Sequence, residues 1–150
     1  MNTLAEIKSF LEPKKLAVAG ASRNPKKFGG IVLAELKKKG FELYPVNPAA
    51  GEISGLKCYA SVSDLPDGVD KLLIVTPGTQ TAAVVEQAIR RGVGSIWIQQ
   101  KSETPEALDL ARQHRMKVIS GRCILMFAEP VESIHGFHRW LSKVFGSYPK

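Results

Sequence analysis

The sequence predicts a doubly wound α/β domain. It has a mainly parallel, five-stranded sheet in a three-layer α/β/α arrangement and an extra C-terminal amphipathic helix. Three observations carry this expectation. Short apolar runs that read as buried strands alternate with segments of helical period, and such alternation produces parallel strands with helices on both faces. Glycine or proline stands where several of these elements should stop, at Gly20, Gly40, Pro48 and Gly92. The chain has 150 residues, which suits one domain, residues 1–150, with one sizeable core.

The elements follow in order. Residues 15–20, Lys-Leu-Ala-Val-Ala-Gly, read as a buried strand that ends in a turn. Phe28, Ile31, Val32 and Leu36 recur at helical spacing, and Gly40 stops that helix. Residues 41–46 form the second strand, closed by Asn47-Pro48, and residues 71–75 form the third. A helix from about Thr79 buries Ala82, Val85, Ala88 and Ile89 and ends near Gly92. Residues 93–98 are the fourth strand, 103–114 a helix that tolerates Pro105 in its first turn, and 116–120 the fifth strand. Residues 51–64 interrupt the alternation, with Gly51, Gly55, Ser61 and Ser63, and read as a loop holding a short helix. In the tail, Ile134, Phe137, Leu141 and Phe145 are spaced as on one helical face. That apolar face must cover its own domain, a second copy or a partner chain.

Composition narrows the function classes. The hydrophobic fraction is 44% and the charged fraction 23%, ordinary for a globular protein. No apolar run reaches the roughly 20 residues that cross a bilayer, and the N-terminus lacks a basic start followed by an apolar stretch. No membrane role and no secretory signal are therefore expected. Cys58 and Cys123 are the only cysteines, and they lack a Cys-x-x-Cys spacing. So sparse a pair fits a reducing cytoplasm. The net charge of +7 favours an anionic partner. The longest basic run, Lys37-Lys38-Lys39, falls at a helix end, where the dipole favours cations. No arginine-rich tract points to nucleic acid.

In open α/β sheets, ligands bind beyond the carboxyl ends of the strands, near the point where strand order reverses. Three strand ends have a composition suited to such a site. In the first, Gly20 permits a tight turn, and Ala21 and Ser22 let a phosphate approach the backbone N–H groups. The following helix aims its positive end at the same place. Arg23, Lys26 and Lys27 add three cations beside it. The spacing is neither Gly-x-Gly-x-x-Gly nor a P-loop. The second strand end is Asn47-Pro48, where an NAD site usually carries an acid for the ribose hydroxyls. The third, Val75-Thr76-Pro77, precedes a helix start and can support an adenine ring or a thin ligand arm.

Together these pieces resemble the coenzyme A-binding domain family, the small stand-alone Rossmann-like proteins related to the N-terminal domain of the succinyl-CoA synthetase α-subunit. The matching stretches are Ala17-Val18-Ala19-Gly20-Ala21-Ser22, Tyr44-Pro45-Val46-Asn47-Pro48, Leu72-Leu73-Ile74-Val75-Thr76-Pro77, Ile96-Trp97-Ile98-Gln99 and the segment from Ser120 to Met126. The resemblance implies binding of the ADP part of coenzyme A. Gly20, Ala21 and Ser22 would hold phosphate, Asn47 and Pro48 would border the nucleotide, and Val75, Thr76 and Pro77 would line the other side. The chain departs from the family at Ala49-Ala50, where the synthetase domain has a lysine. It departs again at Gln100-Lys101, where a glycine is usual. The synthetase's phosphorylated histidine lies in a second domain without a counterpart here, so thiokinase activity is not carried over.

Residues of catalytic type form no constellation. Cys123 follows the fifth strand but reads as a small buried hydrophobe. His114, His135 and His138 are candidates by type alone, and the pair three apart is a weak metal motif. No carboxylate couple stands out, and no metal site is expected. The expectation is therefore a coenzyme A or acyl-CoA binding module without chemistry of its own. The alternative is an NAD(P)- or flavin-dependent enzyme or redox switch on the same fold. A third class is an interaction subunit that docks a partner through the tail helix.

Overall fold

Thr3 starts the first helix. Its hydroxyl accepts the Glu6 N–H at 3.2 Å, and the Glu6 carboxylate accepts the Thr3 N–H at 2.7 Å. This reciprocal capping box opens α1 (Leu4–Leu11). The strand–helix alternation does not include α1; Thr3-x-x-Glu6 is the sequence signal that marks it. The structure, a computed structural model, describes residues 2–128. The amphipathic helix expected over residues 131–145 lies outside the described residues.

The chain continues through β1 (Lys15–Ala19), α2 (Phe28–Lys38), β2 (Glu42–Val46), a small hairpin of β3 (Glu52–Ile53) and β4 (Leu56–Lys57), and a 3-10 turn at Val62–Asp64. There follow β5 (Lys71–Ile74), α3 (Gly78–Arg91), β6 (Ser95–Gln99), α4 (Pro105–Gln113), β7 (Lys117–Arg122) and a second 3-10 turn at Ile124–Met126. Five strands form one sheet in the order β2-β1-β5-β6-β7. Every pairing in it is parallel, as the continuous apolar runs require of strands covered on both faces. The order reverses between β1 and β5: the chain steps outward from β1 to β2, then returns to the other side of β1.

Alternate residues of each strand face opposite layers. Leu16, Val18, Leu73 and Trp97 pack with Ile7, Phe10 and Leu11 of α1 and Val32, Leu33 and Leu36 of α2. Ala17, Ala19, Leu72, Ile74, Ile96 and Ile98 pack with Val85 and Ala88 of α3 and Ala107 and Ala111 of α4. Trp97 is fully buried, and its indole N–H donates to the Arg122 carbonyl at 3.0 Å. Phe10 and Phe127 flank it with ring centroids at 5.6 and 6.1 Å. Lys71 fastens α1 to the sheet by donating from Nζ to the carbonyls of Ser9 and Glu12. A cation suits the negative end of a helix.

Residues 51–64 hold more order than a loop with a short helix. Ser54 and Gly55 both have positive φ, 52° and 76°, the geometry of a two-residue hairpin turn, and β3 pairs antiparallel with β4. Strands of two residues are too short for any period to announce them. Tyr59 then bridges to the outer side of β2: its N–H donates to the Pro45 carbonyl and its carbonyl accepts the Asn47 N–H, both at 2.9 Å.

Truncating a sheet residue and removing a helix cap should differ in cost. Leu73→Ala opens space in a fully buried site and should lower unfolding free energy by about 2–5 kcal/mol. Thr3→Ala removes one cap and should cost about 1 kcal/mol. Urea unfolding followed by circular dichroism would measure both.

Candidate functional site

The turn after β1 runs against the end of β5. Gly20 has φ +90°, and a Cβ there would lie 2.9 Å from the Thr76 nitrogen and the Val75 carbonyl carbon. Only glycine combines that backbone angle with that proximity. Helix α2 then packs back on the same turn. A Cβ on Gly29 would lie 2.0 Å from the Gly20 carbonyl oxygen, and one on Gly30 2.3 Å from the Asn24 carbonyl oxygen. Local hydrogen bonds shape the intervening loop. The Asn24 N–H donates to Ser22 Oγ at 3.1 Å, and the Lys26 N–H donates to Asn24 Oδ1 at 2.9 Å. The Lys27 N–H donates to the Asn24 carbonyl at 3.1 Å.

The four described helices divide into two kinds. α1 and α4 are capped by the hydroxyls of Thr3 and Thr104, and each has an acid in its first turn, Glu6 or Glu106. α2 and α3 begin at Lys27 and Pro77, which supply no side-chain cap, and neither first turn holds an acid. The positive ends of α2 and α3 therefore have no internal counter-charge, and they start beside each other at the point of strand reversal. An anion placed there would receive backbone N–H groups and two favourable dipoles.

A cleft of about 800 Å³ occupies this position. Gly20, Ala21, Ser22, Lys27, Asn47, Pro48, Val75, Thr76 and Pro77 all line it. Arg23 and Lys26, expected beside the same phosphate, are exposed and do not line the cleft. The Arg23 guanidinium donates from Nη2 to the Ala49 carbonyl at 3.0 Å, tying the β1–α2 loop to the end of β2. Asn47 ties the same two segments deeper down. Its Nδ2 donates to the Ala21 carbonyl at 2.9 Å, and its Oδ1 accepts the Ala49 N–H at 2.8 Å. The Thr76 and Thr81 hydroxyls are hydrogen-bonded at 3.1 Å, fixing the first turn of α3 against β5.

One wall of the cleft was not legible as part of a site. Ala60, Ser61 and Val62 face Thr79, Gln80, Ala83, Val84 and Gln87 across it. Gln87 Oε1 accepts the Val62 N–H at 3.2 Å and holds the two sides together. The spacing of residues 80, 83, 84 and 87 marks one face of α3. Nothing local says that the 51–64 segment folds back to meet it.

Lys101, which departs from the family pattern, and Gln99, which matches it, have clear local geometry. Lys101 takes φ +74°, the left-handed conformation that a glycine adopts without strain. Gln99, at the carboxyl end of β6, is 2% exposed. Its Oε1 accepts the Ile124 N–H at 3.2 Å, and its Nε2 has no partner.

The cysteines lie inside the core and outside the cleft lining. Burial pushes both thiols up from their ordinary value, and for Cys58 the backbone of Asn47, the charge of Arg23 and the backbone of Tyr59 offset part of that rise. His114 sits at the end of α4 with Nδ1 3.0 Å from the Leu110 carbonyl, while His135 and His138 lie outside the described residues. Among the described residues, no group of three His, Cys, Asp or Glu side chains is placed to hold a metal, and no helix is long and apolar enough to cross a membrane.

Residues 14–129 match the family described as "CoA binding domain". The chain belongs to that family. Its relatives include the ADP-forming acetate–CoA ligase II of Archaeoglobus fulgidus, 32% identical over 128 residues, which cover 77% of this chain and 19% of the ligase. The ADP-forming acetate–CoA ligase II α-subunit of Pyrococcus furiosus is also 32% identical, over 77% of this chain and 28% of the subunit. The chain thus spans 19% and 28% of those two ligases, so the CoA-binding domain is the part they share with it. Small solved proteins match along nearly their whole length. A conserved hypothetical protein from Pyrococcus furiosus is 41% identical with a TM-score of 0.72, covering 74% of this chain and 96% of that one. A hypothetical protein from Pyrococcus horikoshii is 34% identical with a TM-score of 0.80, covering 85% and 91%.

Two outcomes follow from the geometry. Gly29→Ala should lower the melting temperature by several degrees, because its Cβ must displace the Gly20 backbone; differential scanning calorimetry would show it. Both thiols should react with a disulfide reagent at pH 7 at under about a tenth of the rate seen in denaturant, since burial keeps them protonated and covered. Spectrophotometric thiol titration measures that ratio.

Proposed function

We propose that this domain binds coenzyme A or an acyl-CoA through the ADP part of the molecule, at the carboxyl ends of β1, β2 and β5, and performs no chemistry on it. One observation carries the reading: the two helices that lack an internal cap and an acid in the first turn are the two that begin at the strand reversal. Family membership agrees with it.

The residues present suit the parts of that ligand. The Gly20 N–H donates to the Val46 carbonyl at 3.3 Å, so the turn offers the N–H groups of Ala21 and Ser22 to the diphosphate, and Lys27 adds charge beside them. Asn47 and Pro48 border the nucleoside on one side, and Val75, Thr76 and Pro77 border it on the other. A nicotinamide dinucleotide suits the site less well. Both ends of the Asn47 amide already bond to backbone, and no acid stands at the end of β2 to accept from a ribose diol.

The ligases' activity belongs to proteins several times longer than the matched segment. Absence of chemistry in this domain is therefore part of the proposal, as is its work in the cytoplasm.

Isothermal titration with coenzyme A, acetyl-CoA, NAD, NADP and FAD tests the reading. Coenzyme A should bind with a dissociation constant on the order of micromolar, about −8 kcal/mol, and more weakly as salt rises. Lys27→Ala should weaken it by about tenfold and Lys26→Ala by about threefold or less, because Lys27 lines the cleft and Lys26 does not, and solvent screens a cation outside it. Gly20→Val should abolish binding, with folding checked by circular dichroism. A preference for NAD or FAD without a coenzyme A signal would overturn the proposal. So would wild-type affinity in a folded Gly20→Val.

A further inference from the structure

We propose that Arg23 reads a phosphate on the ligand's ribose and so makes the site select coenzyme A over dephospho-coenzyme A; this rests on the coenzyme A reading above. In doubly wound domains the end of the second strand borders the ribose of the adenosine half, and an arginine nearby accommodates a ribose phosphate where the ligand carries one. Here the end of β2 supplies no cation of its own: it runs Asn47-Pro48-Ala49-Ala50.

Arg23 reaches that place from the neighbouring loop. Its Nη2 donates to the Ala49 carbonyl at 3.0 Å, so the guanidinium is held at the end of β2 although its own backbone belongs to the β1–α2 turn. Its charge reaches Cys58, on the segment that follows the β3–β4 hairpin. A guanidinium has five donors in a planar fork, and this anchoring contact uses one of them. Among the described residues no carboxylate forms an ion pair with it, so no internal anion competes for the fork. It is exposed, as a group that meets the outermost phosphate of a long ligand must be.

The neighbouring polar groups point the same way. The Asn47 amide is held by bonds to Ala21 and Ala49, so it carries no charge and only one further N–H to a ligand's ribose. Lys27 lines the cleft beside the β1–α2 turn, whereas Arg23 is anchored across at Ala49. The two cations thus address two anionic groups: Lys27 the diphosphate, which both ligands carry, and Arg23 the ribose phosphate, which only coenzyme A carries. Bidentate pairing of a planar fork with phosphate gives geometric selectivity that a lysine ammonium does not.

The test is a four-protein titration with coenzyme A and dephospho-coenzyme A, using wild type, Arg23→Ala, Arg23→Lys and Lys27→Ala. Wild type should prefer coenzyme A by about tenfold, the size of one partly screened charge-assisted contact. Arg23→Ala should bring the preference close to one by weakening coenzyme A alone, and Arg23→Lys should leave an intermediate ratio. Lys27→Ala should weaken both ligands by the same factor and keep the preference. If Arg23→Ala weakens both ligands equally, Arg23 acts on the diphosphate or on the fold of the Ala49 loop, and the inference is wrong although coenzyme A binding stands. An unchanged ratio in Arg23→Ala overturns it in the same way. Wild type that binds neither ligand overturns the coenzyme A reading and this inference together.

Discussion

The backbone contact between Gly20 and the Val75–Thr76 peptide sets the geometry of everything around it. Strand β1 is the hinge of the sheet's order, with β2 on one side and β5 on the other, so its exit turn must pass over one neighbour at close range. A side chain at position 20 would hold the turn away from β5 and widen the gap between the starts of α2 and α3. Gly29 repeats the requirement one layer up, since the first turn of α2 rests on the Gly20 carbonyl. Three backbone segments meet there with almost no side-chain volume between them. Close packing of this kind transmits a displacement rather than absorbing it, so the cleft's shape is as rigid as the core beneath it.

The helix starts show how the same local chemistry serves two ends. Thr3 and Thr104 satisfy N–H groups with their own hydroxyls, and acids in the first turns offset the dipoles. Those two helices are complete within the chain. Helices α2 and α3 give up that stabilisation, worth roughly 1 kcal/mol for a cap alone. The fold recovers stability through sheet residues that are fully buried on both faces. A protein can leave two helix ends uncompensated only where the rest of its core is well filled.

Much of this arrangement could be read from residue order. The five strands and three of the helices follow from apolar runs and helical spacing, and the strand-end compositions pointed to one end of the sheet. What escaped reading was either very short or non-local. The Thr3-x-x-Glu6 box is four residues long and sits outside the alternation that drew attention. The β3–β4 hairpin has two-residue strands, below any detectable period. That residues 60–62 face α3 depends on the Tyr59 bridge to β2, which joins segments whose proximity no local pattern encodes. The two ends of Arg23 are equally separate: its charge could be noticed in sequence, but its anchoring on Ala49 is a fact of the folded loops. Asn47 is legible as a residue at the site, but that its amide stitches the first two strand ends together is not.

The bridge from Tyr59 has a consequence for the sheet as a whole. β2 is an edge strand, and an open parallel edge invites another chain to add a strand. Residues 43 and 45 direct their backbone groups outward, and at 45 the residue is proline, which has no N–H to offer. The outward carbonyl of Pro45 and the N–H of Asn47 are already bonded to Tyr59. A second strand laid along β2 would meet one missing donor and two occupied groups within three residues. The sheet therefore terminates itself on this side by chemistry rather than by bulk, and association through sheet extension at β2 is disfavoured at high concentration as well as low.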